Sequence, residues 1–222
     1  MIVAAHNEAD RIGATLDALA TGFPGAELWV ADDASADGTG EVALAHGARV
    51  VGRRRPHGKG ANVTAAAEAA LDHAPEPDGA IFLLCDADLG DTAGELGALV
   101  RAVEAGDCDL AVAAFSRRIG GGFGVARGFA RWAIQRRCGY VGEAPLSGQR
   151  AMPAAVLRGA LPFAPGYGME TAMTIDVVRA GHRVGEIELD LEHRATGRTL
   201  GGFLHRGRQL RDIARAYWSR RR

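Results

Sequence analysis

Short, nearly unbroken apolar runs punctuate the first half of the chain, and between them apolar residues recur at three- and four-residue intervals. Residues 1–5, 28–31, 48–51, 81–85 and 110–114 have the length and continuity of strands covered on both faces. Ile12, Leu16 and Leu19 fall on one side of a helical wheel, which predicts a helix over 9–20. Residues 39–46 and 96–105 read as helices too, and Asn62 is placed to cap an alanine-rich helix ending near His73. Strand followed by helix, several times over, predicts an α/β fold with a mostly parallel central sheet flanked by helices, Rossmann-like in layout. Right-handed crossovers carry the strand exits and their polar loops to one edge.

The second half is less regular. Residues 125–137 read as a helix with arginines on one side, 147–152 as a loop or short strand, 167–180 as an acidic loop leading into a helix, and 184–191 as a strand. Beyond this point the character changes: residues 193–222 hold nine arginines and a single acid, Asp212. Leu210, Ile213, Ala214 and Tyr217 share an apolar stripe with arginines around it. The expected organisation is one domain over 1–200 and a basic amphipathic helix over 201–222, hinged at Gly201-Gly202. Such a helix suits either an anionic bilayer surface or the flank of the domain.

Charge and cysteines narrow the function classes. The 222 residues carry a formal net charge of -1, which weighs against a nucleic-acid binder. Lys59 is the one lysine, and it lies between two glycines. Cys85, Cys108 and Cys138 have no metal-ligand spacing and form no complete disulfide set, so a cytoplasmic setting is expected, with peripheral attachment at the inner face of the membrane as an option. No apolar run reaches the length of a membrane span, and no signal-peptide pattern precedes Asn7 and Glu8.

The candidate chemistry collects at the strand exits. The run over 81–85 leads into Asp86-Ala87-Asp88, and a period of two points both acids the same way. Two hard oxygen ligands at such an edge suit Mg2+ or Mn2+ carrying a phosphorylated substrate. Asp32-Asp33 follows the second strand. No Gly-x-Gly-x-x-Gly turn follows the first, which argues against a dinucleotide fold. His57-Gly58-Lys59-Gly60 offers backbone donors and a cation to an anion, without the spacing of a Walker loop.

Val3-Ala4-Ala5-His6-Asn7-Glu8, Asp32-Asp33-Ala34-Ser35-Ala36-Asp37-Gly38-Thr39, Gly58-Lys59-Gly60 and Asp86-Ala87-Asp88, in that order, resemble the motifs of family 2 glycosyltransferases over residues 1–115. The resemblance implies a GT-A fold and transfer of a hexose from a UDP- or GDP-linked sugar with a divalent metal. It places Ala5 and Glu8 near the nucleotide, Asp33 near the base and Lys59 on the nucleotide side. It makes Asp88 the main metal carboxylate and Asp86 a contact to ribose or metal. His6 departs from the aromatic residue often found in the opening motif.

Gly166-Tyr167-Gly168-Met169-Glu170 resembles the acceptor-side acidic motif of the glucosyl-3-phosphoglycerate synthase group, which implies that Glu170 orients or deprotonates an acceptor hydroxyl. By the same resemblance His193 joins the metal site. Ser147-Gly148-Gln149-Arg150 resembles the acceptor-pocket segment of polyprenyl-phosphate sugar transferases, with Gln149 on sugar hydroxyls and Arg150 on phosphate. Arg194 adds positive charge on the acceptor side. The expected acceptor is polyprenyl phosphate. The alternatives are a small soluble phosphorylated acid, as in the phosphoglycerate group, or a sugar-nucleotide-binding protein without turnover.

Overall fold

A computed structural model describes residues 1–52, 55–74, 79–115, 124–191 and 200–221, with only the backbone described for 200–206. The elements in chain order are β1 (Ile2–Ala5), α1 (Ile12–Gly22), β2 (Trp29–Asp32), α2 (Thr39–Ala45), β3 (Arg49–Gly52), α3 (Lys59–His73), β4 (Ile81–Asp86), α4 (Gly97–Glu104), β5 (Leu110–Phe115), α5 (Gly124–Cys138), β6 (Arg150–Pro153), α6 (Ala154–Ala160), α7 (Met169–Arg179), β7 (Val184–Leu189) and α8 (Leu200–Ser219). A 3-10 segment, Gly90–Leu96, leads into α4, and a 3-10 turn, Gly166–Gly168, leads into α7.

The strands form one sheet in the order β3-β2-β1-β4-β6-β5-β7. All pairings are parallel except those of β6, which runs antiparallel to both β4 and β5. Consecutive strand residues face opposite layers. Val3, Val30 and Leu83 pack with Ile12, Leu16, Leu19, Leu96 and Leu99 on one side. Their neighbours Ile2 and Leu84, with Val112 and Met152, pack with Val63, Ala67, Leu157, Met173 and Val177 on the other. This is an α/β fold with a mixed, mostly parallel central sheet between helical layers, consistent with GT-A architecture.

Three local readings change. The α3 helix begins at Lys59 rather than at Asn62, because Gly58 turns the chain at a φ of 84°. Asn62 is a buried first-turn residue whose side chain serves other groups. Residues 147–152 resolve into an approach loop and β6, wedged between two parallel strands. The seven-residue α6 was not anticipated; its short pattern of Ala154, Val156, Leu157 and Ala160 carries little periodic signal.

The C-terminal helix lies on the domain. Gln209, Asp212, Ile213 and Ala216 are buried, and α8 packs against α5, α7 and the Gly166–Gly168 turn. A side chain at Gly168 would put its Cβ 2.6 Å from the Asp212 carbonyl oxygen, so the close approach requires glycine there. Arg220 grips Asp176 of α7 with a shortest contact of 2.6 Å. Among the described residues no helix is long and apolar enough to cross a membrane.

Candidate active site

Three parallel strands end side by side: Ala5 pairs with Asp32, and Ala4 with Asp86. The loops beyond them are laced together. Asn7 and Ala34 hold φ values of 56° and 57°, a left-handed conformation that costs on the order of 1 kcal/mol outside glycine. Asn7 N donates to Ser35 Oγ, Ala36 N donates to Asn7 Oδ1, and Glu8 N donates to Thr39 Oγ1, each at 2.9 Å. Asp32 closes its own turn by accepting from the Ser35 amide and hydroxyl.

Asp33 turns to the glycine loop instead. It accepts from the His57 amide at 2.8 Å, the Gly58 amide at 3.1 Å and the Asn62 side chain. The backbone donors that suit an outside anion therefore wrap a carboxylate of the chain itself. Gly58, Gly60 and Gly166 let the start of α3 press against the segment before α7: a Cβ on Gly60 would meet the Ala164 carbonyl, and one on Gly58 would lie 3.4 Å from the Gly166 Cα.

That contact aims Lys59 across the site. Its ammonium lies 2.6 Å from Asp86 Oδ1 and 2.9 Å from Glu170 Oε1. Burial alone would lower the lysine pKa; the two carboxylates outweigh it and hold the group above its ordinary value, so Lys59 stays charged. Asp86, at the exit of β4, and Glu170, in the first turn of α7, are thus joined through one cation. Asp88 is half-buried past the strand end, and its backbone carbonyl accepts from Arg11 Nη1 at 3.2 Å. The neighbouring Ala87 carbonyl accepts from Thr15 at 2.8 Å, so α1 fixes the backbone between the two acids.

Gln149 and Arg150 are both buried and bonded within the chain. Gln149 is 2% exposed and donates through Nε2 to Asp86 Oδ2 at 2.9 Å. Arg150 is 0% exposed; its Nε donates to the Ser147 carbonyl at 2.8 Å and its Nη1 to Thr174 Oγ1 at 3.0 Å. Burial lowers its pKa to about 10, with Glu170 the main group opposing the shift. Arg150 opens β6 in the middle of the sheet, and Gln149 lies in the loop just before it.

His193 and Arg194 lie outside the described residues. Among the described residues no three His, Cys, Asp or Glu side chains gather in a metal-binding group. Two carboxylates at a strand edge still fit Mg2+ or Mn2+, since such ions often take one or two protein carboxylates and complete their shell with water and substrate phosphate. Cys85, beside Asp86, is no nucleophile: burial and the neighbouring Asp86 raise its thiol pKa to about 12. Tyr167 was given no role of its own in the sequence; burial raises its phenol pKa, with Lys59 opposing and Glu170 reinforcing the shift. Its place after Gly166, in the turn that presents Glu170, was the available signal.

No curated protein matches the chain. Among solved structures it resembles glucosyl-3-phosphoglycerate synthase from Mycobacterium tuberculosis in complex with phosphoglyceric acid, at 28% identity over 99% of this chain and 78% of that one, with a TM-score of 0.79. The same synthase with Mn2+, UDP-glucose and phosphoglyceric acid matches at 28% identity over 99% and 78%, TM-score 0.77. With Mg2+ and UDP it matches at 28% identity over 99% and 77%, TM-score 0.78. The model of glycosyl transferase family 2 matches residues 1–147. The chain belongs to glycosyl transferase family 2 and is an enzyme of that class.

Proposed function

We propose that this enzyme transfers glucose from UDP-glucose to a small phosphorylated acceptor of the phosphoglycerate type. One observation carries the reading: Lys59 holds Asp86 of the donor-side strand edge and Glu170 of the acceptor-side helix within 2.9 Å of a single charge, in a chain that matches the synthase complexes over 99% of its length. Nothing supports polyprenyl phosphate, and the helix considered for a bilayer has its apolar residue Ile213 buried on the domain.

In this reading Asp33 meets the base, Ala5 and Glu8 line the nucleotide, and Asp86 accepts from the ribose. Asp88 and Asp86 would hold the divalent ion, with His193 as a further ligand. When bound, the ion supplies neutralisation of the leaving diphosphate. Lys59 adds a fixed positive charge beside the same group as the glycosidic bond breaks, and being fixed it needs little reorganisation. Glu170, paired with Lys59 through Oε1, keeps lone pairs with which to orient the acceptor hydroxyl. Arg194 provides charge for the acceptor phosphate.

The test is a turnover panel. UDP-glucose with Mn2+ or Mg2+ is offered 3-phosphoglycerate, glycerol 3-phosphate or polyprenyl phosphate, with UDP release and product mass as readouts. UDP release coupled to a glucosylated small acceptor supports the proposal. Transfer to the lipid alone, or UDP binding without transfer to any acceptor, overturns it.

A further inference from the structure

Gln149 is buried against Asp86, the acid at the exit of β4. Its Nε2 donates to Asp86 Oδ2 at 2.9 Å while Lys59 donates to Asp86 Oδ1 at 2.6 Å. Both carboxylate oxygens are held by donors of fixed origin, one from α3 and one from the loop before β6, so the carboxylate plane cannot turn without breaking a hydrogen bond. Each oxygen keeps a second lone pair for an incoming group. The amide is itself oriented: the Ser147 hydroxyl donates to Gln149 Oε1 at 3.0 Å, which leaves only the NH2 end to face Asp86.

We propose that Gln149 is a positioning residue for donor binding, acting through Asp86; the inference rests on the glycosyltransferase reading. The residues around it serve the same end. Gly148 passes so close that an added Cβ would lie 2.6 Å from Asp86 Oδ2 and 2.7 Å from Lys59 Nζ. Only glycine lets the loop bring the amide within hydrogen-bonding reach without displacing the ion pair. Arg150 holds the Ser147 carbonyl and Thr174 of α7. It thereby fixes the backbone on which Ser147 and Gln149 ride. Four consecutive residues thus orient the amide, clear space for it, supply it and anchor it. Their common target is Asp86, the carboxylate proposed to meet the nucleotide sugar.

The experiment compares the intact wild-type protein with Gln149→Met, which keeps length and loses the donor, and Ser147→Ala, which releases the amide's orientation. The readouts are calorimetric titration with UDP in the presence of Mn2+, KM for UDP-glucose, KM for the phosphorylated acceptor, and melting temperature. Losing a hydrogen bond to a charged group predicts about tenfold weaker UDP binding in Gln149→Met, with a matching rise in donor KM. Ser147→Ala moves the same way by less. Acceptor KM and melting temperature stay close to wild type. Unchanged UDP affinity in Gln149→Met overturns the proposal. So does a pattern in which Gln149→Met melts early or fails to fold while Ser147→Ala binds UDP like wild type, because the role is then packing. Failure of the transfer reading shows separately, as wild-type protein that binds UDP and glucosylates no small acceptor.

Discussion

At the scale of single residues, Lys59 is the most consequential side chain of the site. Its side chain is 22% exposed and neutralises two carboxylates at once. Replacing it with methionine leaves Asp86 and Glu170 without their shared cation. Removing one partner of a largely buried pair costs about 3 kcal/mol, so Lys59→Met is expected to lose that much stability in urea denaturation and nearly all turnover. A loss below about 1 kcal/mol would place the lysine among solvated surface charges. Asp88 makes a contrasting case. Asp88→Ala is expected to abolish metal-dependent turnover with the circular dichroism spectrum unchanged, and wild-type turnover in that variant would remove Asp88 from the chemistry. The acid that ends the fourth strand was legible as Asp86, but the structure closes β4 there and leaves Asp88 in the turn beyond it, where strand alternation no longer applies. The partners of Gln149 and Arg150 were not legible, because Asp86 and Thr174 are remote in sequence and lie on other elements. A local motif does not say whether a polar residue faces the cleft or the layer beneath it.

At the scale of elements, long periodic segments were the readable ones. The strand and helix alternation of residues 1–115 emerges with ends shifted by a few residues, since apolar runs mark interiors better than boundaries. The antiparallel β6 was less visible. Insertion between two parallel strands is a matter of pairing partners, which four residues of sequence do not encode. The C-terminal helix shows a related limit. Its apolar stripe was evident, yet its buried face also includes Gln209 and Asp212, polar residues that a hydrophobic pattern assigns to solvent. Asp212 is held there because its side chain accepts from the Tyr167 amide at 3.3 Å and from Arg211 Nε at 3.2 Å. The glycine of the turn sets how closely that helix can dock. Gly168→Val is expected to cost about 1–3 kcal/mol through overpacking against the Asp212 backbone and to raise the acceptor KM more than the donor KM, because the same turn presents Glu170. Equal effects on both substrates would detach α8 from the acceptor side.

At the scale of the molecule, the acids at the strand exits are tied into the chain's own hydrogen bonds. Both oxygens of Asp86 are occupied by Lys59 and Gln149, Asp33 is wrapped by amides of the glycine loop, and the backbone about Ala87 and Asp88 is tied to α1 through Thr15 and Arg11. The two core layers lie on either side of the sheet and draw on residues far from its acidic edge. A metal site whose strand-end acid, Asp86, is already paired contributes function without being needed for folding, unlike a structural site whose ligands repel one another when empty. Treating the nucleotide-free enzyme with a chelator is therefore expected to abolish glucosyl transfer, restored by Mn2+ or Mg2+, while moving the melting temperature by no more than about 2 °C. The comparison must be made without UDP, because any ligand that binds only the folded state raises the melting point by mass action. A fall of many degrees on chelation alone would mean that the carboxylates at the strand exits depend on the ion for their arrangement, and that Lys59 and Gln149 do not preorganise them.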